Sequence, residues 1–185
     1  DFVLTDGGRS IRLLNQDIAD WTITFVDTGQ NANIGQRLMA VRRFLADDEM
    51  FMANYADALT DLPLNDHIDK FKATNAVGSF IAVRTSQSFH SVQSDDNGWV
   101  SSIGRIKDTD FWVNGGYFVF RPEIFDYIEE GDELVEEPFN RLVERRLLHV
   151  NHYSGFWQQM DTFREKIIYD RMEARGDCPW MLHRK

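Results

Sequence analysis

Cysteine is almost missing from this chain: Cys178 is the single one in 185 residues. That excludes an intramolecular disulfide and makes a reducing, cytoplasmic setting the simplest expectation. Long apolar runs are lacking as well. None approaches the ~20 residues of a membrane-spanning helix, and no secretory signal opens the chain, so no membrane partner is expected. Positive charge is scarce, with 20 Lys and Arg against 30 Asp and Glu, a net charge of -10 and a sequence pI of about 4.9. A general nucleic-acid binder presents a basic surface, so no nucleic-acid partner is expected either. A local arginine cluster could still hold one phosphate compound, given a divalent cation to offset the surrounding acid.

Several fingerprints are also absent. Gly7-Gly8-Arg9-Ser10 lacks the spacing and the lysine of a Walker loop. No GxGxxG or GxSxG stretch occurs, which disfavours Rossmann dehydrogenases and α/β hydrolases. His149 and His152 would fall on opposite faces of a short strand, with no third ligand nearby, so zinc is not expected. His67, His90 and His183 stand alone.

What is present suits a folded domain: 43% hydrophobic and 13% aromatic residues supply a sizeable core. Phe2-Val3-Leu4 and Ile11-Arg12-Leu13-Leu14 flank a turn at Asp6-Gly7-Gly8, within an extended region over 1–29. Trp21 to Val26 alternates bulky and small residues and predicts a strand ended by Asp27-Thr28-Gly29. Ile34, Leu38, Val41 and Leu45 recur at helical spacing, predicting a helix over 34–46. A strand is expected at 50–55, a helix from His67 to Thr74 and a strand over Ser79–Val83. A hairpin follows at 88–93 and 98–103, around Asp95-Asp96-Asn97-Gly98. Trp112 to Phe120 reads as a strand interrupted by Gly115-Gly116, and Pro122 opens a short helix. A helix from Glu137 to Leu147, a strand over Leu148-His149-Val150 and a helix from Thr162 to Arg175 close the chain. This alternation predicts an α/β fold with an antiparallel patch.

Four constellations invite a chemical reading, each with a plainer one beside it. Asp57 follows a strand of buried character, where ligands of open α/β sheets sit, and could hold a cation over a phosphate. It could equally be a turn acid ahead of the next helix, a role Asp61 fills as well. Asp161 precedes a Thr162–Glu165 capping box and would be favourable beside a helix N-terminus with no further role. Asn114-Gly115-Gly116 marks either close approach of a ligand or a β-bulge. Arg37, near the start of its helix, either meets phosphate or lies on a solvated face.

Read together and in order, these stretches resemble the sugar-phosphate nucleotidylyltransferases, nearest to the cytidylyltransferases of glucose 1-phosphate. The resemblance rests on Val26-Asp27-Thr28-Gly29, Gly35-Gln36-Arg37-Leu38, Tyr55-Ala56-Asp57-Ala58, Trp112 to Val119 and Glu137-Pro138-Phe139. It continues through Gly155 to Thr162 and Cys178-Pro179-Trp180. It implies a Rossmann-like nucleotidyltransferase fold with a mixed, mainly parallel sheet. It implies attack of a sugar 1-phosphate on the α-phosphate of a nucleoside triphosphate, releasing pyrophosphate, with CTP and glucose 1-phosphate as the expected pair. Mg²⁺ is the implied cofactor, held by Asp57 and Asp161. Arg37, Tyr55 and Ala56 match nucleotide contacts, and Asn114, Gly115 and Gly116 match the wall that receives the sugar. A homo-oligomer is in keeping with the family.

The chain also departs from the family pattern. No counterpart of the family's N-terminal strand and glycine-rich loop is found, on the order of 70 residues, about half of a mononucleotide-binding unit with its flank. Residues 1–185 are therefore expected to form a single domain without its N-terminal nucleotide-binding portion. Ala56 and Ala58 replace glycines, Ser86-Gln87-Ser88-Phe89-His90 replaces a Gly-Arg-Phe-Gly segment, and Gly104-Arg105-Ile106-Lys107 stands where a Glu-Lys-Pro grips the sugar phosphate. Two alternatives follow. One is a catalytically inactive homologue that binds a nucleotide or sugar phosphate; the other is a fragment or subunit whose site another segment completes.

Overall fold

The computed structural model describes residues 2–14, 21–45, 47–84 and 89–182. The expectations that fall on Asp1, residues 15–20, Ala46, Ser86-Gln87-Ser88 and His183 lie outside the described residues.

Strands β1 (Phe2–Thr5) and β2 (Ser10–Leu13) form an antiparallel pair around Asp6-Gly7-Gly8, as the turn residues predict. The strand expected at Trp21–Val26 is not found; the segment pairs with no strand among the described residues. Alternation alone does not make a strand. Its backbone groups need a neighbouring ladder, and its apolar side chains need cover. Here Trp21 and Phe25 remain 68% and 92% exposed.

Helix α1 (Ile34–Val41) begins at Asn33, whose side chain accepts from the Gln36 amide at 2.8 Å while Gln36 returns the bond at 3.0 Å. This reciprocal cap fixes the start of the helix, and Leu38 turns into the core. The helix stops short of 46, passing into a 3-10 turn at Arg42–Phe44.

The central sheet joins β3 (Phe51–Asn54), β5 (Gly78–Val83), β8 (Val113–Phe120) and β9 (Leu148–Tyr153) in the order β3-β8-β5-β9. Strands β3, β5 and β9 run in one direction and β8 runs against them, so only the β5–β9 ladder is parallel. The sheet is thus mixed, with three of its four strands codirectional. One face packs Phe51, Phe118, Phe120, Phe125, Phe139 and Leu142 into the main core. Burying each such side chain is worth roughly 1.5–3 kcal/mol. Helix α3 (Glu137–Glu144) covers this face with Phe139 and Leu142 and ends before the expected Leu147. The other face carries α2 (Leu64–Lys72), which buries His67 and Phe71 and begins earlier than expected.

Strands β6 (His90–Ser94) and β7 (Val100–Arg105) form the expected hairpin. Pro122 opens a 3-10 turn, Pro122–Asp126. Helix α4 (Phe163–Ala174) has the expected capping box on Thr162. One further ladder has no counterpart among the expected elements: β4 (Ala58–Thr60) pairs antiparallel with β10 (Trp157–Gln159).

Candidate active site

Beyond its last paired residue, β3 continues its contact with β8: the Tyr55 amide donates to the Gly116 carbonyl at 2.9 Å. The chain then turns through Ala56 and Asp57 into β4. Because Ala58 opposes Gln159 in the β4–β10 ladder, the residues just outside it, Asp57 and Met160, also face each other. The Met160 amide donates to the Asp57 carbonyl at 2.7 Å. Asp161 follows, and its carboxyl adjoins that of Asp57, close enough for the two to interact. Local desolvation, the adjoining Asp57 and then Glu165 hold the Asp161 carboxyl above the usual carboxylate range.

Asp161 combines two placements. It stands at a helix N-terminus, where Glu165 Oε2 accepts from the amides of Asp161 (2.8 Å) and Thr162 (2.9 Å). It also meets Asp57, distant in sequence, which periodicity could not reveal. Two adjacent carboxylates repel unless a proton or a cation lies between them. Their oxygen-only donor set suits Mg²⁺, which takes one or two carboxylates and fills its octahedron with water and phosphate. Among the described residues no group of three His, Cys, Asp or Glu is placed to hold a metal.

Asp57 lies on the edge of a cleft of about 1000 Å³ between α1 and the β3–β8 side of the sheet. Ile34, Leu38, Phe118 and Leu134 supply apolar lining, and Arg37, Tyr55 and Ala56 line it as well. The Arg37 guanidinium donates to the Ala32 carbonyl (2.9 Å), Thr28 Oγ1 (3.2 Å) and the Gln30 carbonyl (3.5 Å). No described carboxylate forms an ion pair with it. A cation held by neutral acceptors keeps its charge available to an anionic ligand. Tyr55 stands edge-on to Phe118 at 5.3 Å. Burial, and secondarily Glu133, push its hydroxyl pKa up, while a bond with Asn114 offsets this in part.

The sugar-wall residues are placed differently from the nucleotide contacts. Asn114 Oδ1 accepts from the Gly116 amide at 2.9 Å and closes a bulge in β8. Gly116 has φ +71°, and an added Cβ would meet the Tyr55 ring at 2.5 Å. A Cβ at Gly115 would lie 2.6 Å from Ile81. Packing therefore accounts for both glycines. Asn114 lines a second cavity of about 480 Å³, with Phe80, Trp112, Phe139 and His152. Phe118 of the first cleft abuts Phe80 and Phe139 of the second, so both open on the same face of the sheet. Arg105 is paired with Asp108 at 2.7 Å, and neither Arg105 nor Lys107 lines the two cavities.

No family model matches the chain. It is 30% identical over 164 residues to the glucose-1-phosphate cytidylyltransferase of Salmonella typhi, a match covering 88% of this chain and 64% of that one. The mannose-1-phosphate guanyltransferase of Candida albicans is 27% identical over 147 residues, or 75% of this chain and 41% of that one. Among solved structures, a Bacillus anthracis protein described as a "Putative Glucose-1-Phosphate Thymidylyltransferase", in complex with sucrose, superposes with a TM-score of 0.56. That likeness covers 80% of this chain and 63% of that one at 16% identity, and it concerns the fold. The chain spans 64% of the length of the Salmonella relative. With the identity to that relative and the matching motifs in order, the chain is similar to the sugar-phosphate nucleotidylyltransferases over most of its length, and its fold is shared with the Bacillus anthracis structure.

Proposed function

We propose that the protein transfers a nucleotidyl group from a nucleoside triphosphate to a sugar 1-phosphate and releases pyrophosphate. CTP and glucose 1-phosphate are the proposed pair, after the Salmonella relative. The observation that carries the reading is the meeting of Asp57 and Asp161 beside a cleft that also presents Arg37.

In this reading an oxygen of the sugar phosphate attacks the α-phosphorus, and the bond from that phosphorus to the pyrophosphate oxygen breaks. The residues work by positioning and charge rather than by covalent catalysis. Arg37 meets the triphosphate with a guanidinium already oriented by three neutral acceptors. Tyr55 and Ala56 border the nucleotide, and Asn114 faces the neighbouring cavity, where the sugar would sit. Asp57 and Asp161 would hold Mg²⁺, which when bound neutralises phosphate charge.

The test is pyrophosphate release by the full-length protein with Mg²⁺ and panels of nucleoside triphosphates and sugar 1-phosphates. Asp57→Asn is expected to lower turnover by about a hundredfold or more while leaving the fold intact. A fully active Asp57→Asn protein would remove the mechanism. A second reading, a homologue that binds these ligands without turnover, draws support from the Arg105–Asp108 pair, which engages a cation of the stretch expected to grip the sugar phosphate. Ligand binding with no pyrophosphate release would favour it.

A further inference from the structure

Asp61 reads in the sequence as a turn acid ahead of a helix, but it does not cap α2, whose first flanking residue is Pro63 with no side-chain cap. Its carboxylate reaches across to the segment that carries Asp161. Asp61 Oδ1 accepts from the Tyr153 hydroxyl and from the Phe156 amide, the latter at 2.7 Å. The Asp61 amide in turn donates to the Phe156 carbonyl at 3.2 Å, and Thr60 Oγ1 donates to the same carbonyl at 2.7 Å. Gly155 makes this approach possible: an added Cβ would collide with the Tyr153 hydroxyl and lie 2.8 Å from Asp61 Oδ1. Burial, and then Asp61 itself, push the Tyr153 phenol pKa well up, so it remains a donor at any working pH.

This clamp sits at one end of the β4–β10 ladder, and the Asp57–Asp161 pair sits at the other. The ladder has three residue pairs, Trp157 with Thr60, Gln158 with Leu59 and Gln159 with Ala58. The Tyr169 hydroxyl braces its middle, touching the Leu59 amide and the Gln158 carbonyl. A two-stranded ladder this short sets its own register weakly, and a slip of one residue sends every side chain to the opposite face. Such a slip would move Met160 from its place opposite Asp57 and displace Asp161, the next residue, from its present position beside Asp57.

We propose that Asp61 is a positioning residue for the Asp57–Asp161 carboxylate pair. Its bonds to Tyr153 and Phe156 lock the register in which β10 meets β4, and so set where Asp161, the residue after Met160, stands relative to Asp57. The inference rests on the reading of that pair as the cation-holding element of the proposed function.

The experiment uses the full-length protein and its Asp61→Ala, Asp61→Asn and Tyr153→Phe variants. Binding of Mn²⁺ alone is followed by electron paramagnetic resonance, folding by circular dichroism, and pyrophosphate release by kcat and KM. Folded Asp61→Ala is expected to bind Mn²⁺ about tenfold more weakly and to lose about tenfold in kcat, with the nucleotide KM little changed. Asp61→Asn still offers an oxygen to both donors and is expected to recover most of the loss. If Asp61→Ala does not fold, Tyr153→Phe removes one donor alone and should weaken Mn²⁺ binding about threefold. Wild-type Mn²⁺ affinity in a folded Asp61→Ala or, failing that, in Tyr153→Phe overturns the inference. If the wild type releases no pyrophosphate but binds Mn²⁺ in an Asp61-dependent way, the positioning role stands and the transfer reading falls. Asp57-dependent turnover with Asp61-independent Mn²⁺ binding has the opposite meaning.

Discussion

The Met160 amide donates to the Asp57 carbonyl at 2.7 Å, so two segments far apart in sequence are stitched together beside their acidic side chains. The bond leaves Asp57 and Met160 lining the cleft, with Asp161 next in the chain. Backbone pairing thus does the assembly, and the carboxylates inherit their proximity from it. This explains how an unfavourable pair of like charges persists: the ladder and the caps around it hold the geometry.

Glu165 is one of those supports. It is buried, and its Oε2 accepts from both the Asp161 and the Thr162 amides. Glu165→Ala leaves two amides at the helix start without their acceptor and is expected to cost about 1–2 kcal/mol. Thr162→Ala should cost about 1 kcal/mol by removing the other half of the box. Chemical denaturation of the two variants checks the order, and a Glu165→Ala protein as stable as wild type would contradict it.

Much of this architecture was legible in the sequence, for local reasons. The capping box on Thr162, the helical stripe of Leu38 and the hairpin turn at Asp95 to Gly98 are encoded within a few residues of where they act. The order of motifs pointed to Asp57 and Asp161 together, because a resemblance carries spatial information that periodicity lacks. The β4–β10 ladder was not legible: three-residue strands are too short for a period to show. Trp21–Val26 misled for the converse reason, since its pattern is strand-like but no described strand pairs with it. Asp61 looked like a cap because its true partners, Tyr153 and Phe156, are distant in sequence.

Gly116 offers a test of whether the Asn-Gly-Gly stretch serves packing. Its φ of +71° disfavours any side chain, and Tyr55 occupies the space a Cβ would need. Gly116→Ala is expected to destabilise the fold by about 1–3 kcal/mol and to push Tyr55 toward the cleft. Thermal unfolding and Tyr55 ring resonances report the two effects. A variant with wild-type stability and weakened sugar 1-phosphate binding would instead assign Gly116 to ligand contact.

Arg37 should resist even a conservative change. Its fork meets three acceptors at once, which the single ammonium of Lys cannot reproduce. Under the proposed function, Arg37→Lys is expected to raise the nucleoside triphosphate KM about tenfold, the loss of a charge-assisted contact. The sugar 1-phosphate KM should be nearly unchanged. Equal increases in both constants would place Arg37 outside the triphosphate site.

His67 makes the fold sensitive to acid. It is fully buried on α2; its Nδ1 lies 3.4 Å from the Asn151 side-chain amide, whose oxygen accepts from Lys70 at 2.9 Å. Lys70 thereby turns the Asn151 amide nitrogen toward His67, and the imidazole accepts as a neutral ring. Burial first, then His149 and Lys70, push its pKa down to about 4. An unfolded chain takes up this proton near pH 6.5, the folded one only near 4, so between these values the unfolded state binds more protons. This contribution is complete above about pH 6.5 and is lost as the pH falls toward 4, by about 3 kcal/mol in all. His67→Gln removes the titrating group, so urea unfolding between pH 7 and pH 4 should show a shallower decline than in the wild type. Parallel declines in the two proteins would mean that His67 is not what acid attacks.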